Sequence, residues 1–188
     1  MRNVLLVALA LAASLGVVSR AAPPTAFDPV VFEEKAGSSG LRFTTNSARS
    51  PRRHQPETMV AGVALFDYDG DGRLDVYAVN GATMPGLEKT GPEFWNRLYR
   101  NDGGLRFTDV TEGAGVAGRG YDLGVATGDY DNDGRADLFV AGLRRNTLYR
   151  NKGDGTFEDV TESAGLARRD PRYGTLWAVA AAFVDYDR

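Results

Sequence analysis

The sequence predicts an all-β fold, a partial β-propeller of about two four-stranded blades plus fragments. Three observations carry that reading. Residues 96–117 (NRLYRNDGGLRFTDVTEGAGVA) recur as residues 146–167 (NTLYRNKGDGTFEDVTESAGLA), at an offset of 146 − 96 = 50 with no gap and with 14 of 22 positions identical. An acidic nonapeptide, DYDGDGRLD at 67–75, recurs as DYDNDGRAD at 129–137, an offset of 129 − 67 = 62. Apolar segments beside these repeats are short, Val- and Tyr-rich and bounded by Gly, Asn and Asp, whereas helical period is weak past the N-terminal run. About four short strands in each unit of roughly 50 to 60 residues is the size of a propeller blade.

The elements follow in order. Residues 1–21 read as a signal peptide: Arg2, then an apolar run over 4–18, then small residues at Ser19 and Ala21. The run is shorter than the roughly 20 apolar residues of a bilayer span, so export with no membrane span after cleavage is expected, whether the destination is secreted, periplasmic or cell-surface. Residues 22–58 form an N-terminal segment with a half-repeat strand, because Glu34-Lys35-Ala36-Gly37 echoes Glu162-Ser163-Ala164-Gly165. Blade one is expected over 59–117, with strands at 62–66, 74–79, 98–100 and 107–110 and a hairpin turn at Asn101-Asp102-Gly103-Gly104. The two offsets differ by 12, and the Gly- and Pro-rich stretch 81–93 absorbs that difference as a loop insertion. Blade two is expected over 118–167, with its turn at 151–155. Residues 168–188 start a third blade that stops after Asp185-Tyr186-Asp187, so the chain reads as a truncated fragment of a longer propeller.

Composition narrows the chemistry. Lys plus Arg is 22 against 25 for Asp plus Glu, a net charge of −3, which gives no basic excess to hold a nucleic acid. There is no cysteine and one histidine, His54, so disulfides, thiolate or histidine-rich metal sites and a Ser/His/Asp triad have no support. Aspartate is abundant instead. Asp67, Asp69, Asp71 and Asp75 occupy positions 1, 3, 5 and 9 of D-x-D-x-D-G-x-x-D, and Asp129, Asp131, Asp133 and Asp137 repeat them. Four carboxylates in nine residues repel unless a hard cation joins them. Gly72 and Gly134 permit the bend that would bring the backbone carbonyl of Arg73 or Arg135 round as a further ligand, the side chain pointing away. Such a set reaches the six to eight oxygens that Ca²⁺ prefers, so two Ca²⁺ sites are expected. An Asp-rich solvated turn is the rival reading, and the doubled spacing weighs against it. Position 12 is Ala78 or Val140 rather than Glu, so neither loop is an EF-hand.

Blades carrying DYDGDGRLD between strands resemble the FG-GAP or VCBS repeats of integrin-α-like propellers. Pro56-Glu57-Thr58-Met59, GVALFDYDGDGRLDVYAVNG and NRLYRNDGGLRFTDVTEGAGV together resemble, more narrowly, the cartilage acidic protein family, whose bacterial members are often exported with an ASPIC/UnbV domain. The resemblance implies a calcium-stabilised, non-catalytic propeller that binds an extracellular protein or glycan.

The remaining conspicuous residues get plainer readings. Arg49, Arg52, Arg53 and His54 read as a solvated basic spot, and Arg144-Arg145 and Arg168-Arg169 as surface charge. Trp95, Trp177, Tyr99 and Tyr149 read as blade packing rather than a sugar platform. The alternative function is a fragment of a propeller-fold polysaccharide lyase or hydrolase with its catalytic residues on missing blades. A cluster of His, Lys or Arg at a blade mouth would favour that alternative, and the sequence shows none.

Overall fold

The computed structural model describes residues 30–60, 62–167, 172 and 177–185. The expected signal segment and Asp187 of the third acidic loop lie outside the described residues. Contacts divide the chain into two compact units, Met1–Glu33 and Glu34–Arg188. Of the first, residues 30–33 are described, and they are exposed and outside any strand. Among the described residues no helix is long and apolar enough to cross a membrane.

The second unit carries two four-stranded antiparallel sheets, each with its strands side by side in sequence order. The first joins β1 (Val63–Phe66), β2 (Asp75–Ala78), β3 (Arg97–Gly103) and β4 (Arg106–Asp109). The second joins β5 (Tyr121–Gly128), β6 (Asp137–Leu143), β7 (Thr147–Asn151) and β8 (Phe157–Asp159). Tyr99 pairs with Val76 and Asp109, and Tyr149 pairs with Leu138 and Asp159, so the repeat in sequence is a repeat in register. This is the up-and-down order of propeller blades, and the all-β expectation holds. Antiparallel alternation puts the β1–β2 and β5–β6 acidic loops at one end of the sheets, together with the β3–β4 and β7–β8 hairpins. The β2–β3, β4–β5 and β6–β7 connections lie at the other end.

One apolar cluster spans both sheets: Phe66, Tyr68, Tyr77, Val79 and Leu98 meet Leu138, Val140, Tyr149 and Phe157. Tyr68 of the first acidic loop stacks on Phe157 of β8, with ring centroids 6.3 Å apart. Two glycines, one just before β1 and one in β5, allow close backbone approach. A Cβ on Gly62 would lie 2.8 Å from the Gly124 Cα, and one on Gly124 would lie 2.5 Å from the Val179 carbonyl oxygen. Because 124 − 62 repeats the acidic-loop offset, the same spacing relates the two loops and the two glycines at which the chain comes closest to its next segment.

Several expectations change. The β3–β4 turn is not Asn101-Asp102-Gly103-Gly104. Strand β3 continues through Gly103 past an irregular register at 101–103, and the reversal falls at Gly104-Leu105, both at positive φ (59° and 58°). The half repeat forms no strand in the described residues. It forms instead a one-turn helix, α1 (Ala36–Ser39), closed by left-handed Gly40, as α2 (Thr111–Ala114) is closed by Gly115. Its equivalent glycine is therefore Gly40, three residues beyond the Gly37 that the sequence echo selects. Tyr99 and Tyr149 are buried as expected, but Trp177 stays 42% exposed.

Candidate metal centre

Each acidic loop is built by its own carboxylates. Asp67 accepts backbone N–H bonds from Gly70 (2.8 Å), Asp71 (3.1 Å) and Gly72 (2.8 Å), which curls the loop around position 1. Asp129 does the same for Asp133 (3.0 Å) and Gly134 (2.8 Å). Position 6 is left-handed as expected, at Gly72 (φ 83°) and Gly134 (φ 85°). Position 4 is left-handed too, at Gly70 (φ 77°) and Asn132 (φ 59°). Sequence reasoning overlooked that second requirement, although the Gly/Asn exchange at position 4 signals it, since those residues best tolerate this region.

Position 9 has a different character from positions 1, 3 and 5. Asp75 and Asp137 are fully buried at the starts of β2 and β6. Asp75 accepts N–H bonds from Tyr68 (3.0 Å) and Asn101 (2.7 Å), and Asp137 from Tyr130 (2.9 Å) and Asn151 (2.8 Å). Each thus ties its loop to the third strand of its own sheet. Burial pushes both carboxyls above the ordinary aspartate range, against the pull of these N–H donors.

Carboxylate oxygens converge in both loops. One oxygen each from Asp67, Asp69 and Asp71 lies within 4.8 Å of the others, and so does one each from Asp129, Asp131 and Asp137. Both groups could hold a metal ion, and an all-oxygen anionic donor set suits a hard cation. The two trios differ by one member, Asp71 in the first and Asp137 in the second. The arginines of position 7 do not point away. Arg73 and Arg135 form ion pairs with Asp71 and Asp133, and their Nε atoms donate to the carbonyls of Asn101 (2.6 Å) and Asn151 (2.9 Å). A guanidinium offsets some of the loop's repulsion and anchors it to the neighbouring hairpin.

The other repeated letters hold the sheets. Thr111 and Thr161 hydroxyls each accept from a backbone N–H, of Leu98 and Leu148 (both 3.0 Å), and donate to Asp109 and Asp159. Asn151 donates from Nδ2 to the carbonyl of Tyr68 in the first acidic loop (2.7 Å). The D-V-T and Y-R-N strings are therefore structural grammar.

Two four-stranded sheets in tandem, each with a D-x-D-x-D-G loop after its first strand, define a repeat protein of propeller blades. The FG-GAP-like repeat matches residues 67–140 and again 129–188, more than half of the chain. The chain belongs to the FG-GAP-like repeat family. No curated protein matches it at a significant level.

Proposed function

We propose that the chain is a calcium-binding β-propeller module of an exported protein, serving interaction with an extracellular protein or glycan rather than catalysis. The observation that carries this reading is the convergence of three carboxylates in each of two loops at the same place in successive sheets. Calcium is favoured over magnesium because each loop supplies several carboxylates, and magnesium keeps more of its water. FG-GAP repeats are typically non-catalytic and extracellular, which agrees with an N-terminal signal segment. The narrower resemblance, to cartilage acidic protein relatives, is part of the same proposal.

Asp69 and Asp131 are the discriminating positions, because both are exposed and neither anchors the loop backbone in the way Asp67 and Asp129 do. Isothermal titration of the full chain with Ca²⁺ is expected to give two equivalents. Asp69→Asn and Asp131→Asn should each lose one, and the double variant both. Unchanged stoichiometry in all three would remove the metal reading.

A further inference from the structure

The end of the sheets opposite the acidic loops carries an open cleft of about 500 Å³, bordered by the β2–β3, β4–β5 and β6–β7 connections. Arg119, Arg144 and Arg145 line it with Leu143, Glu88 and Lys89. Lys89 is committed to the fold: its ammonium donates to the carbonyls of Asn80, Gly81 and Phe94 (2.7–2.8 Å) and lies 3.4 Å from the buried Asp122. The arginines are placed differently. Arg145 shares one ion pair with Asp159 (3.2 Å), while Arg119 and Arg144 are exposed and hold no side-chain hydrogen bond or ion pair among the described residues. Arg144 stands on a left-handed backbone (φ 64°), a conformation a side chain with a Cβ adopts rarely, at the turn that projects it from β6.

In a chain of net charge −3, three guanidiniums gather at the cleft; Glu88 is the one carboxylate on its wall, and Asp159 beside it pairs with Arg145 and draws on Arg119, which leaves Arg144 the least compensated. Guanidinium forks match carboxylates bidentately. Trp177 is bridged by its backbone to Leu143, which lines the cleft, and is 42% exposed, so this aromatic residue borders the cleft without being part of its wall. An exposed aromatic at the border of an arginine-lined cleft suits a sugar bearing a carboxylate, because the C–H face of the ring can pack on an indole while the carboxylate meets a guanidinium.

We propose that this cleft binds an acidic polysaccharide, with Arg119 and Arg144 holding uronate carboxylates and Trp177 packing against a sugar ring. The proposal rests on the interaction-module reading, and it places the glycan at the end of the blades away from the calcium loops.

The test is titration of the full chain with an oligogalacturonate at fixed free Ca²⁺, beside its methyl-esterified form, dextran sulfate and poly-glutamate. Oligogalacturonate should bind, the ester should not, and raising salt should weaken binding. The Arg119→Gln/Arg144→Gln double variant should lose at least tenfold in affinity while retaining both Ca²⁺ equivalents, and Trp177→Ala should lose several-fold. Dextran sulfate binding through the same arginines would keep the cleft and broaden the anion to sulfate on a glycan. If poly-glutamate binds as tightly, the glycan assignment is overturned. If the Asp69→Asn/Asp131→Asn variant loses the glycan while the arginine variant keeps it, the sugar is held through calcium and the cleft is not its site. Absence of glycan binding with two Ca²⁺ still bound would overturn this inference and leave the calcium reading standing.

Discussion

At the scale of single residues, the eight loop aspartates divide by burial into two kinds. Asp137 is fully buried and is fixed by two backbone N–H donors, whereas Asp131 is exposed, with Arg150 at 4.0 Å as its ion-pair neighbour. Exposed pairs of that kind contribute little to stability. An asparagine at 137 would turn an amide donor toward a backbone donor. Asp137→Asn should therefore cost about 1–3 kcal/mol in EDTA, the penalty of a buried polar group left unsatisfied. Asp131→Asn should stay near wild type under the same conditions. Urea unfolding in EDTA makes the comparison, and equal losses would show that position 9 is not the anchor described here.

At the scale of elements, the two sheets are joined by polar as well as apolar contacts. The inserted β2–β3 connection exists in the first repeat only, and it delivers Lys89 to a network that crosses to β5. Asn96 donates to Asp122 (2.8 Å) and to the Tyr77 hydroxyl (2.9 Å), and Tyr77 donates to the Val116 carbonyl (2.9 Å). Burial pushes the Asp122 carboxyl up and the Lys89 ammonium down, while their mutual attraction opposes both shifts. Gly118 has to be glycine for this packing, since a Cβ there would come within 2.7 Å of Asn96, Asp122 and Lys89. Lys89→Met removes the cation and leaves the carboxylate buried, a change expected to cost about 3–5 kcal/mol. Adding Asp122→Asn to Lys89→Met should recover part of the loss. A Lys89→Met protein as stable as wild type in chemical denaturation would mean the connection only decorates the interface.

At the scale of the whole molecule, ions that bind only the folded state add RT ln(1 + [L]/Kd), about 2.7 kcal/mol per site at a hundredfold excess over Kd. Both acidic loops end in strands of the shared core, β2 and β6, so cation binding in either should stabilise both sheets together. Thermal unfolding with excess Ca²⁺ is expected to be one transition at a raised Tm relative to EDTA, with Mg²⁺ less effective. A Tm indifferent to Ca²⁺ would contradict the proposed sites. The segment after α1 is also hydrogen-bonded to both sheets' neighbourhoods. The Asn80 carboxamide accepts from the Asn46 N–H (2.6 Å), and the Tyr121 hydroxyl donates to the Ser47 carbonyl (3.0 Å) and, more weakly, the Pro56 carbonyl (3.2 Å).

Much of this was legible in the linear chain because propeller blades are local: each sheet pairs consecutive strands, so repeats, turn residues and strand runs carry the topology. The nonapeptide spacing located both acidic loops for the same reason, since a curled loop of nine residues is set by its own aspartates and left-handed glycines. Burial and distant partners were not legible. That Asp75 and Asp137 anchor β3 and β7, that Arg73 and Arg135 fold back onto Asp71 and Asp133, and that Lys89 finds Asp122 all depend on residues brought together across strands and sheets. Arg144 and Arg145 likewise read as surface charge, and no basic cluster at a blade mouth was legible, until the three connections bring them together with Arg119 at one end of the blades. Sequence spacing specifies which backbone turns and pairs; only tertiary packing decides which of several identical side chains loses its water, because desolvation depends on what the neighbouring sheet covers.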